Sequence, residues 1–329
     1  MGIMGSPRKE GNTELLLSAF LEGVRSNGLK VQKLYVAEQG ITPCMGCRYC
    51  EREGFCKLSD GMDEVYRLLR RADLIVLATP IFFYGTPAQT KALIDRVQAL
   101  WSRKYRLGLQ DPRAPWRKGF LLAVGATKGK NLFVGVELTA KYFFDSLGAS
   151  FEGTLGFRQV DRPGDIAMHP TALEEARERG RELSVSLSRR RRVLFLCREN
   201  ARRSQMAEAF LQHYAGDCFD AHSAGEEPAP EIDPLTVEVM AEKGIDLAYR
   251  RPTGIQEVLP WGPFDLLVRM GCEMDCPALS ALQHEQWDLE DPKGGSPAAF
   301  RRVRDEIEGR VKDLIVRLGR QRGWTSRKK

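Results

Sequence analysis

The chain has 329 residues, which is too many for one ordinary hydrophobic core, so its length predicts two domains. Although 43% of the residues are hydrophobic, no apolar run approaches the ~20 residues that span a bilayer, and residues 1–4 lead into a polar loop instead of a secretory signal. The net charge is only +6, and the one dense basic run, the arginines at 189–192, is better explained as a solvated linker than as a surface for nucleic acid.

The eight cysteines are grouped along the chain. Four lie between residues 44 and 56, Cys197 follows a predicted strand, Cys272 and Cys276 form a close pair, and Cys218 stands alone as a predicted core residue. In a chain with no predicted secretory signal, such groups indicate metal or redox chemistry and not a disulfide framework. The expected location is therefore the cytoplasm.

Strands and helices alternate along the first half of the chain, which predicts a doubly wound α/β domain over residues 1–188. The strand 74–78 is apolar at every position, as expected where both faces of a parallel sheet are covered. After a short first strand, the predicted strands are 30–35, 74–78 and 120–124, and the predicted helices are one that carries Leu15 and Leu21, then 62–69, 88–97 and 170–187.

Three predicted loops follow strands of this domain, at residues 5–13, 79–86 and 125–129. The carboxyl ends of parallel strands meet at one edge of a doubly wound sheet, which is where such folds bind ligands. The first loop is rich in Gly, Ser, Asn and Thr before a helix and suits a phosphate. The second offers flat aromatic surface, and the third offers small residues with N–H groups. Together they predict a site for flavin mononucleotide, FMN.

Residues 1–188 resemble the flavodoxin-like NAD(P)H-dependent FMN reductases. Three phrases carry the resemblance: Gly5-Ser6-Pro7-Arg8 with Gly11-Asn12-Thr13, Thr79-Pro80-Ile81-Phe82-Phe83-Tyr84-Gly85, and Ala88-Gln89-Thr90-Lys91-Ala92-Leu93-Ile94-Asp95-Arg96. The resemblance implies bound FMN, reduction by NAD(P)H or a small electron carrier, and assembly as a homodimer or tetramer. The predicted FMN-binding residues are Ser6, Pro7, Arg8, Asn12, Thr13, Pro80, Ile81, Phe82, Tyr84, Gly85 and Gly125.

A loop after the second predicted strand carries the pattern Cys-x2-Cys-x2-Cys-x5-Cys. Four thiolates on one compact loop suit a [4Fe–4S] cluster or a tetrahedral zinc ion, and they could also remain reduced thiols. Within the FMN reductases, the spacing resembles that of the iron–sulfur flavoproteins, whose loop holds a [4Fe–4S] cluster beside FMN. We therefore favour a cluster with the ligands Cys44, Cys47, Cys50 and Cys56.

A second domain is predicted over residues 191–329, and it opens on an apolar strand that leads to Cys197. The next loop has the pattern Cys-x5-Arg-Ser and runs into a helical segment, 205–211. Inward N–H groups and a helix N-terminus can surround a tetrahedral oxyanion, and Arg203 can add a bidentate contact. The same positive field favours the thiolate of Cys197, and Ser204 can donate a hydrogen bond to the sulfur.

The rest of this domain again alternates strands, at 219–225 and 264–268, with helices, at 234–243 and through Phe300 to Leu318. The alternation predicts a second doubly wound parallel sheet. Before the last helix, Asp291 precedes Pro292. A carboxyl group near the loop could protonate a leaving oxygen, but an aspartate before proline is as readily a turn residue, so the residues alone leave both roles open.

The second domain resembles the low-molecular-weight phosphatase superfamily and, within it, the thioredoxin-coupled arsenate reductases. The matching phrases, beyond the loop, are Ser204-Gln205-Met206-Ala207-Glu208-Ala209-Phe210, Ser223-Ala224-Gly225, Met270-Gly271-Cys272-Glu273-Met274-Asp275-Cys276-Pro277, Trp287-Asp288-Leu289-Glu290-Asp291-Pro292 and Phe300-Arg301-Arg302-Val303-Arg304-Asp305-Glu306-Ile307. The resemblance implies that Cys197 attacks arsenate, that Arg203 and the loop N–H groups bind it, that Asp291 protonates the departing oxygen and that Asn200 shapes the loop. Cys272 or Cys276 would then attack the arsenylated Cys197, releasing arsenite and leaving a disulfide.

One position departs from the pattern of the superfamily. Phosphatases often carry a second cysteine just before the loop arginine, where this chain has Arg202. A disulfide within the loop is therefore excluded, and the resolving thiol is predicted at Cys272 or Cys276.

Two functions remain open at this point. In the first, the chain is a bifunctional arsenate reductase whose flavin domain supplies electrons from NAD(P)H or a small carrier to the second domain. The resemblance to thioredoxin-coupled reductases leaves thioredoxin open as a further partner. In the second, a phosphatase or anion-sensing domain is fused to an independent NAD(P)H-dependent FMN reductase. Arsenate and phosphate have nearly the same size and charge, so the sequence does not separate them as substrates. The cysteine pair favours the first function, because a phosphatase has no use for it.

Overall fold

The structure, a computed structural model, describes residues 1–271 and 280–320. The chain divides into two compact units, the first Met1–Arg189 and the second beginning at Arg190. Cys272 and Cys276 lie outside the described residues, so their resolving role stays a prediction. No helix in the described ranges is long and apolar enough to cross a membrane.

Five parallel strands form the sheet of the first unit, in the order β2-β1-β3-β4-β5. They are β1 (Gly2–Met4), β2 (Lys33–Tyr35), β3 (Leu74–Pro80), β4 (Lys118–Gly125) and β5 (Ser150–Arg158). The helices are α1 (Asn12–Arg25), α2 (Tyr49–Glu53), α3 (Met62–Arg71), α4 (Ala88–Arg96), α5 (Gln98–Tyr105), α6 (Val134–Ser146), α7 (Asp165–Met168) and α8 (Ala172–Ser188). β3 and β4 are buried along nearly their whole length, which confirms the predicted doubly wound parallel sheet.

Two helices pack closely on one face of this sheet. A Cβ added at Gly23 of α1 would lie 1.9 Å from the carbonyl oxygen of Arg177, and one added at Gly180 of α8 would lie 2.1 Å from that of Phe20. Only glycine permits this approach between α1 and α8. Beneath them Phe20 stacks on Phe120 of β4, with ring centroids 5.5 Å apart, and this contact belongs to the core that supports the sheet.

Four parallel strands form the sheet of the second unit, in the order β7-β6-β8-β9. They are β6 (Arg191–Cys197), β7 (Phe219–Gly225), β8 (Phe264–Arg269) and β9 (Ala281–Gln286). The helices are α9 (Arg203–Ala215), α10 (Pro234–Ala241), α11 (Ile255–Val258) and α12 (Pro297–Arg320). Phe195 of β6, Phe210 of α9 and Phe300 of α12 are fully buried in one core, so the predicted second α/β sheet is also confirmed.

The prediction that the arginines at 189–192 form a solvated linker is wrong for three of the four residues. Arg190 is only 8% exposed and donates to the carbonyl of Gly216 at 3.2 Å. Arg191 and Arg192 are the first residues of β6, and both are half-buried. Only Arg189 is exposed, because a strand that is paired on both sides starts two residues later.

Candidate functional site

The three loops predicted to bind FMN lie together at one edge of the first sheet, where β1, β3 and β4 end side by side. The Gly5 N–H donates to the carbonyl of Ala78 at 2.7 Å, which joins the first loop to the end of β3. A Cβ at Gly129 would lie 3.0 Å from the hydroxyl oxygen of Tyr84, so the second and third loops are in contact. The fold therefore gathers the predicted residues at the edge where doubly wound sheets bind ligands.

The first loop leads to the N-terminus of α1. The amide of Glu14 bonds back to the carbonyl of Gly11 at 3.0 Å, so the amides of Asn12 and Thr13 stand ahead of the first bonded turn of the helix. Amides in this position suit an anion such as a phosphate group. Ser6 Oγ accepts the Arg8 N–H at 3.1 Å, which fixes the turn through Pro7, and the Arg8 side chain is exposed.

The side chain of Asn12, predicted to bind FMN, is occupied within the protein. Its amide group donates to the carbonyl of Arg162 at 2.8 Å, and its Oδ1 accepts the N–H groups of Gly164 at 3.0 Å and Ile166 at 3.2 Å. These bonds fasten the segment after β5 to the phosphate loop. The side-chain oxygen is therefore used within the protein, while the backbone N–H of Asn12 stays available to a ligand.

The aromatic loop is a tight turn closed by reciprocal bonds of 2.9 Å between the backbones of Phe82 and Gly85. Phe83 and Tyr84 have positive φ angles, of 48° and 61°, which the turn imposes. Phe82 and Tyr84 are about half exposed and therefore offer aromatic surface. Thr86 was not predicted, and its buried hydroxyl oxygen has no hydrogen-bond partner among the described residues.

Packing accounts for the remaining predicted residues of this edge. A Cβ at Gly125, the last residue of β4, would lie 2.6 Å from Leu132 and 3.3 Å from Ile81, so this glycine lets the two loops meet. Pro80 ends β3, and the Ile81 N–H donates to the carbonyl of Val124 at 2.9 Å. The edge thus has helix amides, half-exposed rings and an unpartnered buried hydroxyl, a set that fits FMN.

The four-cysteine loop holds its thiols at different depths. Cys44 and Cys47 are exposed, whereas Cys50 and Cys56 are half-buried. Burial raises the pKa of the Cys50 thiol, and the Ser102 hydroxyl, 3.5 Å away, lowers it in part. Within the described residues no three His, Cys, Asp or Glu side chains form a group that could hold a metal ion. The donor set suits a cluster by its chemistry, but the arrangement does not bring three of the thiols together.

A buried arginine of α4 ties the two ends of this loop together. Arg96 is 1% exposed, and its Nη1 donates to the carbonyl of Thr42 at 2.8 Å and to Asp60 Oδ2 at 2.7 Å. Its Nη2 donates to the carbonyl of Leu58 at 3.3 Å and to Asp60 Oδ1 at 3.2 Å. We call these four residues the Arg96 clamp. The sequence did not reveal the clamp, because its members lie far apart along the chain.

In the second unit the predicted nucleophile stands at the end of β6. The Cys197 side chain is 3% exposed, and its Sγ lies 3.0 Å from Ser204 Oγ. The Asn200 N–H donates to the same sulfur at 3.2 Å, and the Asn200 side-chain amide donates to Ser204 Oγ at 2.8 Å. The fold thus brings Cys197, Asn200 and Ser204 together, with the Asn200 N–H and the Ser204 hydroxyl at the sulfur.

Three carbonyl groups of the Cys197–Ser204 loop accept hydrogen bonds from backbone amides of the segment 227–233. The pairs are Arg198 with the amide of Glu227 at 2.9 Å, Glu199 with that of Ala229 at 2.9 Å, and Ala201 with that of Asp233 at 3.2 Å. In a trans peptide the N–H points opposite to the preceding carbonyl, so the amides of residues 199, 200 and 202 point to the inner side. The bond from the Asn200 amide to sulfur has this direction. The loop is therefore a ring of inward donors.

Asn200 fixes the shape of this ring. It is fully buried with φ of 51°, a left-handed conformation that asparagine tolerates better than most residues. Its Oδ1 accepts from the Thr253 amide at 2.8 Å and from Gln205 Nε2 at 2.9 Å. A Cβ at Gly225 would lie 2.8 Å from the Asn200 nitrogen, so the loop rests directly on the end of β7.

Arg203 and Asp291, predicted as anion ligand and acid, are ion-paired beside the loop. Arg203 is the first residue of α9 and is 5% exposed. Its Nη2 donates to Asp291 Oδ2 at 2.8 Å and its Nη1 to the carbonyl of Leu289 at 3.1 Å. The carboxylate therefore occupies one end of the guanidinium group that is predicted to contact an oxyanion.

Arg202 is the centre of an ionic cluster that sequence reasoning missed. Its Nε donates to Asp291 Oδ1 at 3.0 Å, its Nη1 to Asp233 Oδ2 at 3.3 Å, and its Nη2 pairs with Glu199. Burial lowers the pKa of Arg202, but Glu199 and Asp291 raise it above its ordinary value. Glu199 also pairs with Lys293, whose hydrogen bond is the main cause that holds the pKa of Glu199 below its usual range.

Two different families of known proteins match the two units of the chain. The NADPH-dependent FMN reductase family matches residues 1–151, and the low molecular weight phosphotyrosine protein phosphatase family matches residues 192–323. An iron-sulfur flavoprotein of Methanocaldococcus jannaschii is 32% identical over 192 residues, which are 56% of this chain and 94% of that protein.

Two further relatives match the second unit. The glutaredoxin arsenate reductase of Synechocystis sp. is 32% identical over 131 residues, which are 39% of this chain and 98% of that protein. An arsenate reductase of Bacillus cereus is 35% identical over 129 residues, which are 38% of this chain and 95% of that protein.

Proposed function

The chain belongs to the NADPH-dependent FMN reductases in its first unit and to the low-molecular-weight phosphatase family in its second, and we propose that it couples them as a flavin-supplied arsenate reductase. The observation that carries the proposal is the position of Cys197. Its sulfur receives the Asn200 N–H at 3.2 Å, lies 3.0 Å from the Ser204 hydroxyl, and heads a loop that ends at the Arg203–Asp291 pair.

In the first proposed step the Cys197 thiolate attacks arsenate. An S–As bond forms and an As–O bond breaks, while Asp291 gives a proton to the departing oxygen, which leaves as water. The loop N–H groups and Arg203 bind the remaining oxygens, where fixed donors stabilise negative charge without reorganisation. Asn200 and Ser204 hold the attacking sulfur.

In the second proposed step another thiolate attacks the sulfur of Cys197. An S–S bond forms and the S–As bond breaks, its electron pair stays on arsenic, and As(V) leaves as As(III) in arsenite. We assign this thiolate to Cys272 or Cys276, because Arg202 stands where a second loop cysteine would be. The disulfide must then take up two electrons and two protons before the next turnover.

We assign the supply of these electrons to the first unit. FMN, when bound, accepts a hydride from NAD(P)H, or electrons from a small carrier, and passes electrons on. The amides of Asn12 and Thr13, with Ser6 and Arg8, suit its phosphate, and Phe82, Tyr84 and Thr86 suit its ring. A [4Fe–4S] cluster on Cys44, Cys47, Cys50 and Cys56 is part of the proposal, supported by the donor set and by the relatives named iron–sulfur flavoproteins.

The test uses the intact chain purified without oxygen. Flavin, iron and sulfide are measured first, and then arsenite production from arsenate with NAD(P)H as sole reductant. Cys197→Ser is expected to abolish arsenite production and leave the flavin content unchanged, since the nucleophile is lost and the flavin edge lies in the other unit. Arsenite production by Cys197→Ser would show that this loop is not the site of reaction. Flavin without iron would remove only the cluster from the proposal.

A phosphatase or anion-sensing module beside an independent FMN reductase is the second candidate function. The match of residues 192–323 to a phosphotyrosine phosphatase family favours it, because a phosphate monoester would fit the same loop. Hydrolysis of p-nitrophenyl phosphate that continues in Cys272→Ser and Cys276→Ser, and that ignores NAD(P)H, would support this candidate. Arsenate turnover that needs NAD(P)H would support the first.

A further inference from the structure

The ion pair between Arg203 and Asp291 conflicts with the two roles proposed for these residues, and this inference rests on that proposed function. Arg203 Nη2 donates to Asp291 at 2.8 Å, and its Nη1 is bonded to the carbonyl of Leu289. When an oxyanion binds to the loop, Arg203 must turn donors toward it. Asp291 then loses one of the two guanidinium groups that hold it.

The second guanidinium group is placed to keep Asp291 where it is. Arg202 Nε donates to Asp291 Oδ1 at 3.0 Å, so the two carboxylate oxygens are held by different arginines. The Asp291 side chain is 36% exposed, and its Oδ1 also accepts the Lys293 N–H at 3.1 Å. Without Arg202 the carboxyl group would be free to turn toward solvent.

Arg202 is itself held by two further carboxylates, those of Asp233 and Glu199. Its Nη1 pairs with Asp233 at 3.3 Å, and Asp233 is fixed because its Oδ1 caps α10 by accepting the Leu235 N–H at 3.0 Å. Its Nη2 pairs with Glu199, three residues earlier in the loop. A planar guanidinium group can make these three contacts at once, whereas a lysine ammonium on a flexible stem would not fix all three directions.

We propose that Arg202 is the positioning residue that retains Asp291 at the Cys197–Ser204 loop while Arg203 releases Asp291 to bind the oxyanion. Arg202 does not touch the substrate and acts through Asp291. Once Arg203 has released Asp291 Oδ2, that oxygen can take up a proton from water and give it to the departing oxygen of the oxyanion, while Oδ1 stays on Arg202. Glu199 and Asp233 pair with Arg202 and hold its guanidinium group in place.

The kinetic test compares Arg202→Gln with the matched control Arg301→Gln, which removes an arginine–carboxylate pair with Glu242 outside the loop. In Arg202→Gln, kcat for arsenate is expected to fall about tenfold to a hundredfold, a part of what general acid catalysis contributes. The inhibition constant of inorganic phosphate is expected to stay within about threefold, because binding by Arg203 and the loop amides is kept. Arg301→Gln is expected to change neither value.

A double-mutant comparison distinguishes an effect of Arg202 on the position of Asp291 from a general distortion of the loop. If Arg202 acts through Asp291, adding Arg202→Gln to Asp291→Asn should lower kcat by less than about twofold further. Full additivity of the two losses, an unchanged kcat in Arg202→Gln, or a loss of phosphate binding as large as the loss of kcat would overturn the proposal. If Arg202→Gln does not fold, Arg202→Lys is judged by the same criteria and is expected to lose less.

A structure with inorganic phosphate bound tests the rearrangement without any turnover. The expected result is Arg203 Nη2 on phosphate and Arg202 Nε still within hydrogen-bond distance of Asp291. An Asp291 that leaves Arg202, or that keeps Arg203 in the complex, would overturn the proposal, as would a loop that fails to bind phosphate. Absence of arsenate turnover in a chain that binds phosphate would count against the proposed function alone, and the two distances would still decide the role of Arg202.

Discussion

At the scale of single residues, Thr86 offers a direct test of the flavin edge. Its buried hydroxyl oxygen has no partner among the described residues and follows the aromatic turn Phe82 to Gly85. A hydrogen bond to FMN would satisfy it, so Thr86→Val should weaken FMN binding roughly fivefold, about 1 kcal/mol. Fluorescence titration of the flavin-free chain measures the change. Thr139→Val is the control, because the Thr139 hydroxyl donates to Gly135 within α6, and equal affinity in both variants would contradict the assignment.

The loop residues illustrate which part of a site a sequence reveals. Cys197, Asn200 and Ser204 follow from one short pattern, because all three stand on a single turn between a strand and a helix. Two of the three carboxylate partners of Arg202, Asp233 and Asp291, do not, since they come from other segments of the chain. Asp233 before Pro234 is recognisable as a helix cap, but no local pattern links it to an arginine 31 residues earlier. Ionic partners depend on the tertiary fold, and only the fold discloses them.

At the scale of elements, the Arg96 clamp predicts that the free energy of unfolding depends on pH through the ionisation of Asp60. Burial would raise the pKa of Asp60, but hydrogen bonds from Arg96 and from the amides of Met62 and Thr42 lower it to about 2, from an ordinary value of 3.8. The folded state therefore favours the ionised carboxylate. The stability that this provides is fully present above about pH 4 and is lost as the pH falls toward 2.

Asp60→Asn should accordingly lower the free energy of unfolding by about 2 kcal/mol at pH 7, and the difference from the unaltered chain should shrink toward zero near pH 2. Urea unfolding at both pH values measures it. Asp95→Asn on α4 is the control, because Asp95 pairs with Lys91 on the exposed helix surface and should cost less than about 0.5 kcal/mol. A difference for Asp60→Asn that is independent of pH would contradict the clamp.

The elements that were predicted correctly share a strong apolar signal. β3, β4 and the core residues of α12 are buried, and their runs or helical spacing are visible in the sequence. β5 and β9 were not predicted, because both are edge strands with mostly half-exposed or exposed residues. The strand predicted at 30–35 is shortened to Lys33–Tyr35, also at an edge. Edge strands are defined by pairing with a neighbour more than by their own side chains.

At the scale of the whole molecule, two α/β units with different relatives share one chain. The relatives confirm the resemblances predicted for both halves and the assignment to the oxidoreductases. Residues Arg189 and Arg190 alone separate the end of α8 from the start of β6. A connection this short gives each unit a high effective concentration with respect to the other. We expect this to be useful if electrons pass between the two units.

The last prediction tests whether electrons pass from the flavin unit to sulfur in the second unit. Cys272→Ser or Cys276→Ser should stop multiple turnover, yet either variant should still let one arsenate react with Cys197, because attack and resolution are separate steps. With NAD(P)H or a reduced small carrier, the intact chain should need no thioredoxin. Two separate proteins divided near residue 190 should restore turnover poorly when mixed, because the connection no longer supplies a high effective concentration. Steady turnover that requires thioredoxin and is indifferent to the flavin would mean that the reductase and the flavoprotein share a chain without sharing electrons.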